Sequence, residues 1–202
     1  MNKVSFVQGG PGMNEPAHKL EHTFAEYVAY DEASETKHEF LDGEIYAMAG
    51  GTGRHSLLTT AMSGELRVAL RGRPCRVFSP DMRLRVQETG LATYPDVAVV
   101  CGNISYDPES TTTYTNPIVL VEVLSPSTER YDGILKWDHY RRIPTLREYV
   151  LVRQNEPWIS LYTLNDSGTW TFSDVRPPEP LVLPSLGIVL SLDEIYRGVF
   201  DD

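Results

Sequence analysis

The chain has 202 residues, 28 of them acidic and 18 basic, for a formal net charge of −10. At 41% hydrophobic and 23% charged it has the composition of a globular protein with enough chain for one sizeable core. No apolar run approaches 18 residues, so a membrane span is not expected. The acidity excludes a chain-wide basic footprint for nucleic acid, although screening over about 8 Å at physiological salt lets a local groove act independently of distant acids.

Residues 1–20 read as a flexible extension, because Met1 to Asn14 contains Gly-Gly-Pro-Gly and has neither the apolar segment of a secretory signal nor the arginine-rich character of a transit peptide. Residues 21–202 then form one domain, with the cytoplasm as the default location. A short helix near Thr23 to Tyr30 leads to a hairpin turning at Asp42-Gly43, where Glu44 is either a solvated strand residue or a support for a polar site. Ser56 to Leu70 has amphipathic helical spacing, with Leu58, Met62, Leu66 and Ala69 inward; His55 at its start can cap, pack or reach a site. Cys75 and Cys101 lack metal-finger spacing and are expected to be buried thiols.

A strand is expected from Val77 to Val86, on which Asp81, Arg83 and Arg85 share one face. That face is either the wet side of a half-exposed strand or a basic track for phosphate, extended by Arg141 and Arg142. Apolar strands follow at Tyr94 to Val100 and Ile118 to Leu124, joined by the polar stretch Gly102 to Asn116. Glu122 is the one side chain in Pro117 to Leu124 able to ionise, and Asp96 heads the other strand. A carboxylate in a strand covered on both faces requires a cation, a metal or several donors. Adjacent strands would bring the two acids together, and paired carboxylate oxygens suit Mg2+ or Mn2+, hence phosphate-ester chemistry. Ser79-Pro80-Asp81 offers a second Pro-Asp, but Asp96 lies in the more apolar strand and nearer Glu122.

Asp132 to Ile143 has helical spacing, with Asp132 as N-cap and Lys136 and Tyr140 on its face. Lys136 either reaches back toward Glu122 or is solvated, and Tyr140 either packs or lines the site. A strand at Glu148 to Val152, a hairpin of Trp158 to Leu164 with Thr169 to Asp174, a Pro177 to Pro180 linker and a helix from Leu192 complete a layered α/β sheet. No phosphate-binding glycine loop, serine-hydrolase elbow or zinc-protease motif occurs.

Pro95-Asp96, Glu122-Val123-Leu124-Ser125-Pro126-Ser127, Asp132, Lys136 and Tyr140 together resemble the signature of the Uma-two family of the PD-(D/E)XK nuclease superfamily. Lys37 to Ile45 resembles the family's N-terminal hairpin, Arg54-His55-Ser56 the opening of its first core helix, and Pro144 to Tyr149 a later strand, so the likeness runs from about Thr23 to Val199. It implies a restriction-endonuclease-like core with flanking helices, a divalent metal held by Asp96 and Glu122, DNA as substrate and a homodimer. The superfamily lysine two residues after the glutamate is replaced here by Leu124, and the family's version of the motif makes Lys136 the migrated lysine. The leading expectation is therefore a Mg2+-dependent endonuclease with Asp96, Glu122 and Lys136 catalytic and Glu44, His55, Asp81 and Tyr140 supporting; Arg83, Arg85 and Arg141 would contact nucleic acid. The alternatives are a non-catalytic binding or assembly module, in which Glu122 and Lys136 form a buried ion pair, and a hydrolase of small phosphate esters.

Overall fold

The computed structural model describes residues 21–48, 50–125 and 131–201; the expected N-terminal extension and the Pro126-Ser127 part of the turn lie outside them. Helix α1 (Phe24–Ala33) starts at a capping box in which Glu26 N–H donates to Thr23 Oγ1 at 3.2 Å and Thr23 N–H to Glu26 Oε2 at 2.7 Å. Strands β1 (His38–Leu41) and β2 (Glu44–Ala47) form the expected hairpin. Asp42 and Gly43 both take positive φ, 50° and 78°, and a Cβ on Gly43 would lie 2.7 Å from Glu21 Cβ, so this turn requires glycine.

Helix α2 (Gly53–Ala69) is 17 residues long and buries Leu58, Met62 and Leu66 completely, with Ala69 packed against the same core. The single strand expected from Val77 to Val86 is two: β3 (Cys75–Phe78) and β4 (Arg83–Arg85) belong to different sheets. Ser79-Pro80-Asp81 separates them as a turn, with Met82 N–H donating to Ser79 O at 3.4 Å. After β5 (Ala92–Thr93) and β6 (Val97–Cys101), the stretch read as a polar connection contributes β7 (Tyr106–Asp107) and β8 (Ser110–Tyr114). Strand β9 (Val119–Leu124) precedes a π-helical turn, Tyr131–Lys136, continued by α3 (Trp137–Tyr140). Strands β10 (Glu148–Arg153), β11 (Ile159–Leu164) and β12 (Trp170–Val175) follow, then the hairpin β13 (Leu181–Leu183) and β14 (Ile188–Leu190) and helix α4 (Leu192–Ile195).

Two six-stranded mixed sheets carry this α/β architecture, in the orders β2-β1-β5-β4-β8-β7 and β12-β11-β10-β9-β6-β3. In the second sheet β9 is central, parallel to β10 and antiparallel to β6. Alternation divides its side chains. Val119, Val121 and Val123 pack with α2, α4 and the β13-β14 hairpin, whereas Leu120 and Leu124 pack with Leu84, Tyr114, Tyr140 and Tyr149. Glu122 shares the latter parity, so it points to the side where the second sheet meets residues of the first.

The cysteines correct the reading of free thiols. Cys75 and Cys101 are opposite each other on β3 and β6 and form a disulfide with an S–S distance of 2.00 Å. They stand 26 positions apart in the chain, and the cross-strand register that joins them is not visible in that spacing.

Candidate active site

Register brings the two acids together. Because Val97 pairs with Val121 in antiparallel strands, Asp96, one residue before β6, stands opposite Glu122 on β9. Asp96 Oδ2 accepts the Val123 N–H at 2.7 Å, which anchors its carboxylate to the central strand. Glu122, only 3% exposed, accepts the Tyr140 hydroxyl at 2.7 Å and Lys136 Nζ at 3.2 Å, both on Oε1. Lys136 is buried and lies 3.1 Å from Asp132 Oδ1 and 3.2 Å from Glu39 Oε1. Glu39 Oε2 accepts the Tyr131 hydroxyl at 2.7 Å, and Thr93 Oγ1 bonds its other oxygen.

The π-helical turn explains how a lysine fourteen residues beyond Glu122 meets it. Asp132 is not the helix N-cap the spacing predicts; it is the second residue of the turn, and its carboxylate receives Lys136 from four residues on. Tyr149 from β10 donates to the Asp132 carbonyl at 2.8 Å and ties that turn to the sheet. Irregular helical turns of this kind occur frequently at functional sites.

Three carboxylates therefore surround one ammonium, and the ammonium stays charged: burial opposes its charge, but Glu122, Glu39 and Asp132 together hold its pKa well above the usual lysine range. Burial pushes the Glu122 carboxyl well above the usual carboxylate range; Lys136 pulls it down and Asp132 and Asp96 push it further up. His55, in the first turn of α2, places Nε2 3.1 Å from Asp96 Oδ2. That hydrogen bond raises the imidazole pKa against the opposing effect of burial. A cleft of about 770 Å³ reaches His55 and Asp96 from solvent, lined also by Tyr94, Lys37, Ser56 and Thr59.

Asp96 and Glu122 present hard oxygen donors of the kind a divalent cation takes, and the burial and neighbouring acids that raise the Glu122 pKa disfavour a charge that such a cation would stabilise. Among the described residues no group of three histidine, cysteine or acidic side chains is arranged to hold a metal ion. A cation here would thus complete its shell with water and substrate oxygens.

Of the residues singled out by sequence, Asp96, Glu122, Lys136, Tyr140 and His55 converge. Glu44 does not join them; it lies on the edge strand β2 and bonds the Tyr46 hydroxyl. Asp81 sits 77% exposed in the turn before β4, bound by Lys37 and Ser79. The shared basic face of Arg83 and Arg85 is absent. Arg83 is buried, its guanidinium held by Asp31 at 2.7 Å, Tyr94 at 3.0 Å and Thr113 at 3.2 Å, so it is unavailable to phosphate. Arg85 pairs with Asp107 and Glu109 and lies over the Phe24 ring. Arg141 is an exposed residue paired with Asp138 at 3.0 Å. Glu39 is the residue that sequence reasoning missed. Its signal was an acid inside His38-Glu39-Phe40-Leu41, where three successive residues are buried and neither strand face is free for charge.

Residues 24–193 match the family model Uma2, described as "Putative restriction endonuclease". The chain is 38% identical over 174 residues to an uncharacterised Synechocystis protein, slr1290, covering 86% of this chain and 90% of that one. A second uncharacterised Synechocystis protein, sll1609, is 38% identical over 132 residues, covering 65% and 75%. The crystal structure of a "putative nuclease belonging to DUF820" from Anabaena variabilis superposes with a TM-score of 0.64 at 18% identity, covering 83% of this chain and 93% of that one, and so shares its fold.

Proposed function

The chain belongs to the Uma2 family, and on that premise we propose that it is a metal-dependent endonuclease hydrolysing DNA phosphodiester bonds, with Asp96 and Glu122 as ligands for Mg2+ or Mn2+. The observation that carries this reading is the placement of Asp96 opposite Glu122 with the Lys136 ammonium 3.2 Å from the Glu122 carboxylate. A bound divalent cation lowers the pKa of a coordinated water and neutralises charge on phosphoryl oxygens.

The chain's own groups supply the rest. Lys136, held charged by its three carboxylates, supplies a fixed positive charge against a reacting phosphate and can orient the attacking water. Tyr140 fixes the Glu122 carboxylate by donating to it, as His55 and the Val123 amide fix Asp96. His55 is positioned at the cleft to hold a proton near a departing oxygen. Substrate would enter by the cleft that reaches His55 and Asp96 from solvent.

Manganese titration by calorimetry, with wild type and Glu122→Ala in metal-free buffer, tests this without a choice of substrate. Saturable binding lost in the variant, together with metal-dependent cleavage of DNA lost in it, is the expected result. Unchanged cleavage by a folded Glu122→Ala protein would refute the assignment.

The second reading, a non-catalytic module, draws on the same contacts: Lys136 already satisfies Glu122, Glu39 and Asp132. On that reading manganese binds neither protein and Glu122→Ala only loses stability.

A further inference from the structure

A second cleft, of about 470 Å³, opens at the N-terminus of α2 and is lined by Thr52, Gly53, Arg54, Leu57, Gln154 and Asn155, with Val199 behind them. Among the described residues no acidic side chain lines it, in a chain of net charge −10. We propose that this cleft is a phosphate-binding site, separate from the acids at Asp96 and Glu122, that holds a phosphate group between the α2 amides and Gln154.

Three features converge on an anion. The helix behind the cleft is 17 residues long with no acidic residue in its first turn, so the partial positive charge of its N-terminus is not offset locally. Thr52 caps the His55 N–H alone with its side chain at 3.2 Å, and the Gly53 amide has no acceptor among the described residues. Independently, Gln154 is 4% exposed and its Nε2 is buried without a hydrogen-bond partner. Thr52 Oγ1, which takes the His55 N–H, donates to Gln154 Oε1 at 2.7 Å and thereby turns the amide NH2 the other way. A buried donor left unmet is costly, and an acceptor oxygen delivered by a ligand removes that cost. Arg54 brings a guanidinium to the same wall, held 5.5 Å over the Phe200 ring.

The occupant's chemistry is a phosphate oxygen with several donors around it. Its source is either a backbone phosphate of a nucleic acid or a small phosphorylated ligand. The site lies at the carboxyl end of the parallel pair β9 and β10, since Gln154 directly follows Arg153, the partner of Leu124. Crevices at such strand ends are common ligand sites in α/β sheets.

The test is titration of inorganic phosphate by calorimetry into wild type, Gln154→Leu and Gly53→Pro. Gly53→Pro deletes one donor while suiting the fold: proline is favoured at the first helical position, Thr52 already has the extended backbone needed before proline, with φ −76° and ψ 170°, and a Cβ at 53 meets nothing within 4 Å. Saturable phosphate binding by wild type, weakened about tenfold in each variant, is expected from the loss of one charge-assisted hydrogen bond. Displacement of phosphate by a short single-stranded oligonucleotide assigns the site to a nucleic-acid backbone; binding that the oligonucleotide does not displace assigns it to a small phosphorylated ligand. Absence of saturable phosphate binding in wild type, or undiminished binding in both variants, overturns the proposal. Manganese titration of the same variants reports on Asp96 and Glu122 separately, so failure here is distinguishable from failure of the metal reading.

Discussion

Replacing Lys136 with methionine removes the cation from a buried cluster while keeping an unbranched side chain of similar length. Glu39, Glu122 and Asp132 each lie 3.1–3.2 Å from the ammonium, so the variant leaves three acids facing one another in a site almost closed to water. Breaking a buried pair by removing one partner costs about 3–5 kcal/mol. For a domain of this size each kcal/mol moves the melting temperature by about 2–4 °C, so the drop should be on the order of 10 °C at pH 8. The loss depends on pH with a definite sign. Glu122 already has a raised folded-state pKa, and Lys136 is the larger of the two influences that lower it, ahead of the Tyr140 hydrogen bond, so the variant raises it further. A carboxyl whose folded pKa exceeds its unfolded value contributes stability that is present below the unfolded pKa, about 4.3, and is lost as pH rises through the folded value. Thermal melts followed by circular dichroism at pH 8 and pH 5 should therefore show a large deficit at pH 8 and a smaller one at pH 5. An unchanged melting temperature at pH 8, or a deficit equal at both values, would refute this account of the cluster.

Other outcomes follow from the same geometry. Glu122→Gln keeps a group able to bond Tyr140 and removes a carboxyl that burial and two neighbouring acids already disfavour; its stability should stay within about 1 kcal/mol of wild type by urea unfolding, while manganese binding is lost. Arg83→Met breaks the Asp31 network and should cost about 3–5 kcal/mol by the same assay without altering affinity for an oligonucleotide; weakened binding in a fully folded variant would restore a phosphate role. His55→Gln should matter most in mildly acidic buffer. The imidazole pKa is raised by Asp96, so the stabilisation is full below the ordinary histidine value, about 6.5, and disappears as pH rises through the folded one. Melts of the two proteins from pH 5.5 upward should converge at alkaline pH, and a gap that widens there contradicts the pairing.

Much of the site was legible because local pattern reports burial. An acid alone in Pro117 to Leu124 must be buried if the run is a covered strand, and Asp96 has the same setting, so the pair could be named without coordinates. The spacing of Lys136 and Tyr140 placed them on one side even though the turn is π-helical rather than α-helical, because both forms carry residues four apart to neighbouring positions. Glu39 escaped because nothing in its own strand says which distant cation it meets.

The sequence by itself determined where the strands β9 to β12 and the long helix run, where Asp42-Gly43 reverses the chain, and that Asp96 and Glu122 needed compensation. These are properties of nearest neighbours: side-chain periodicity, the φ > 0 tolerance of glycine, and the cost of an apolar setting for charge. Only the tertiary structure decided which charges pair. Arg83 reads as a basic surface residue until β4 is placed beside Tyr94 and Asp31; Cys75 and Cys101 read as thiols until β3 and β6 align them. Partner choice depends on sheet order and register, which join residues distant in the chain, and a buried charge carries no local mark of the group that will neutralise it.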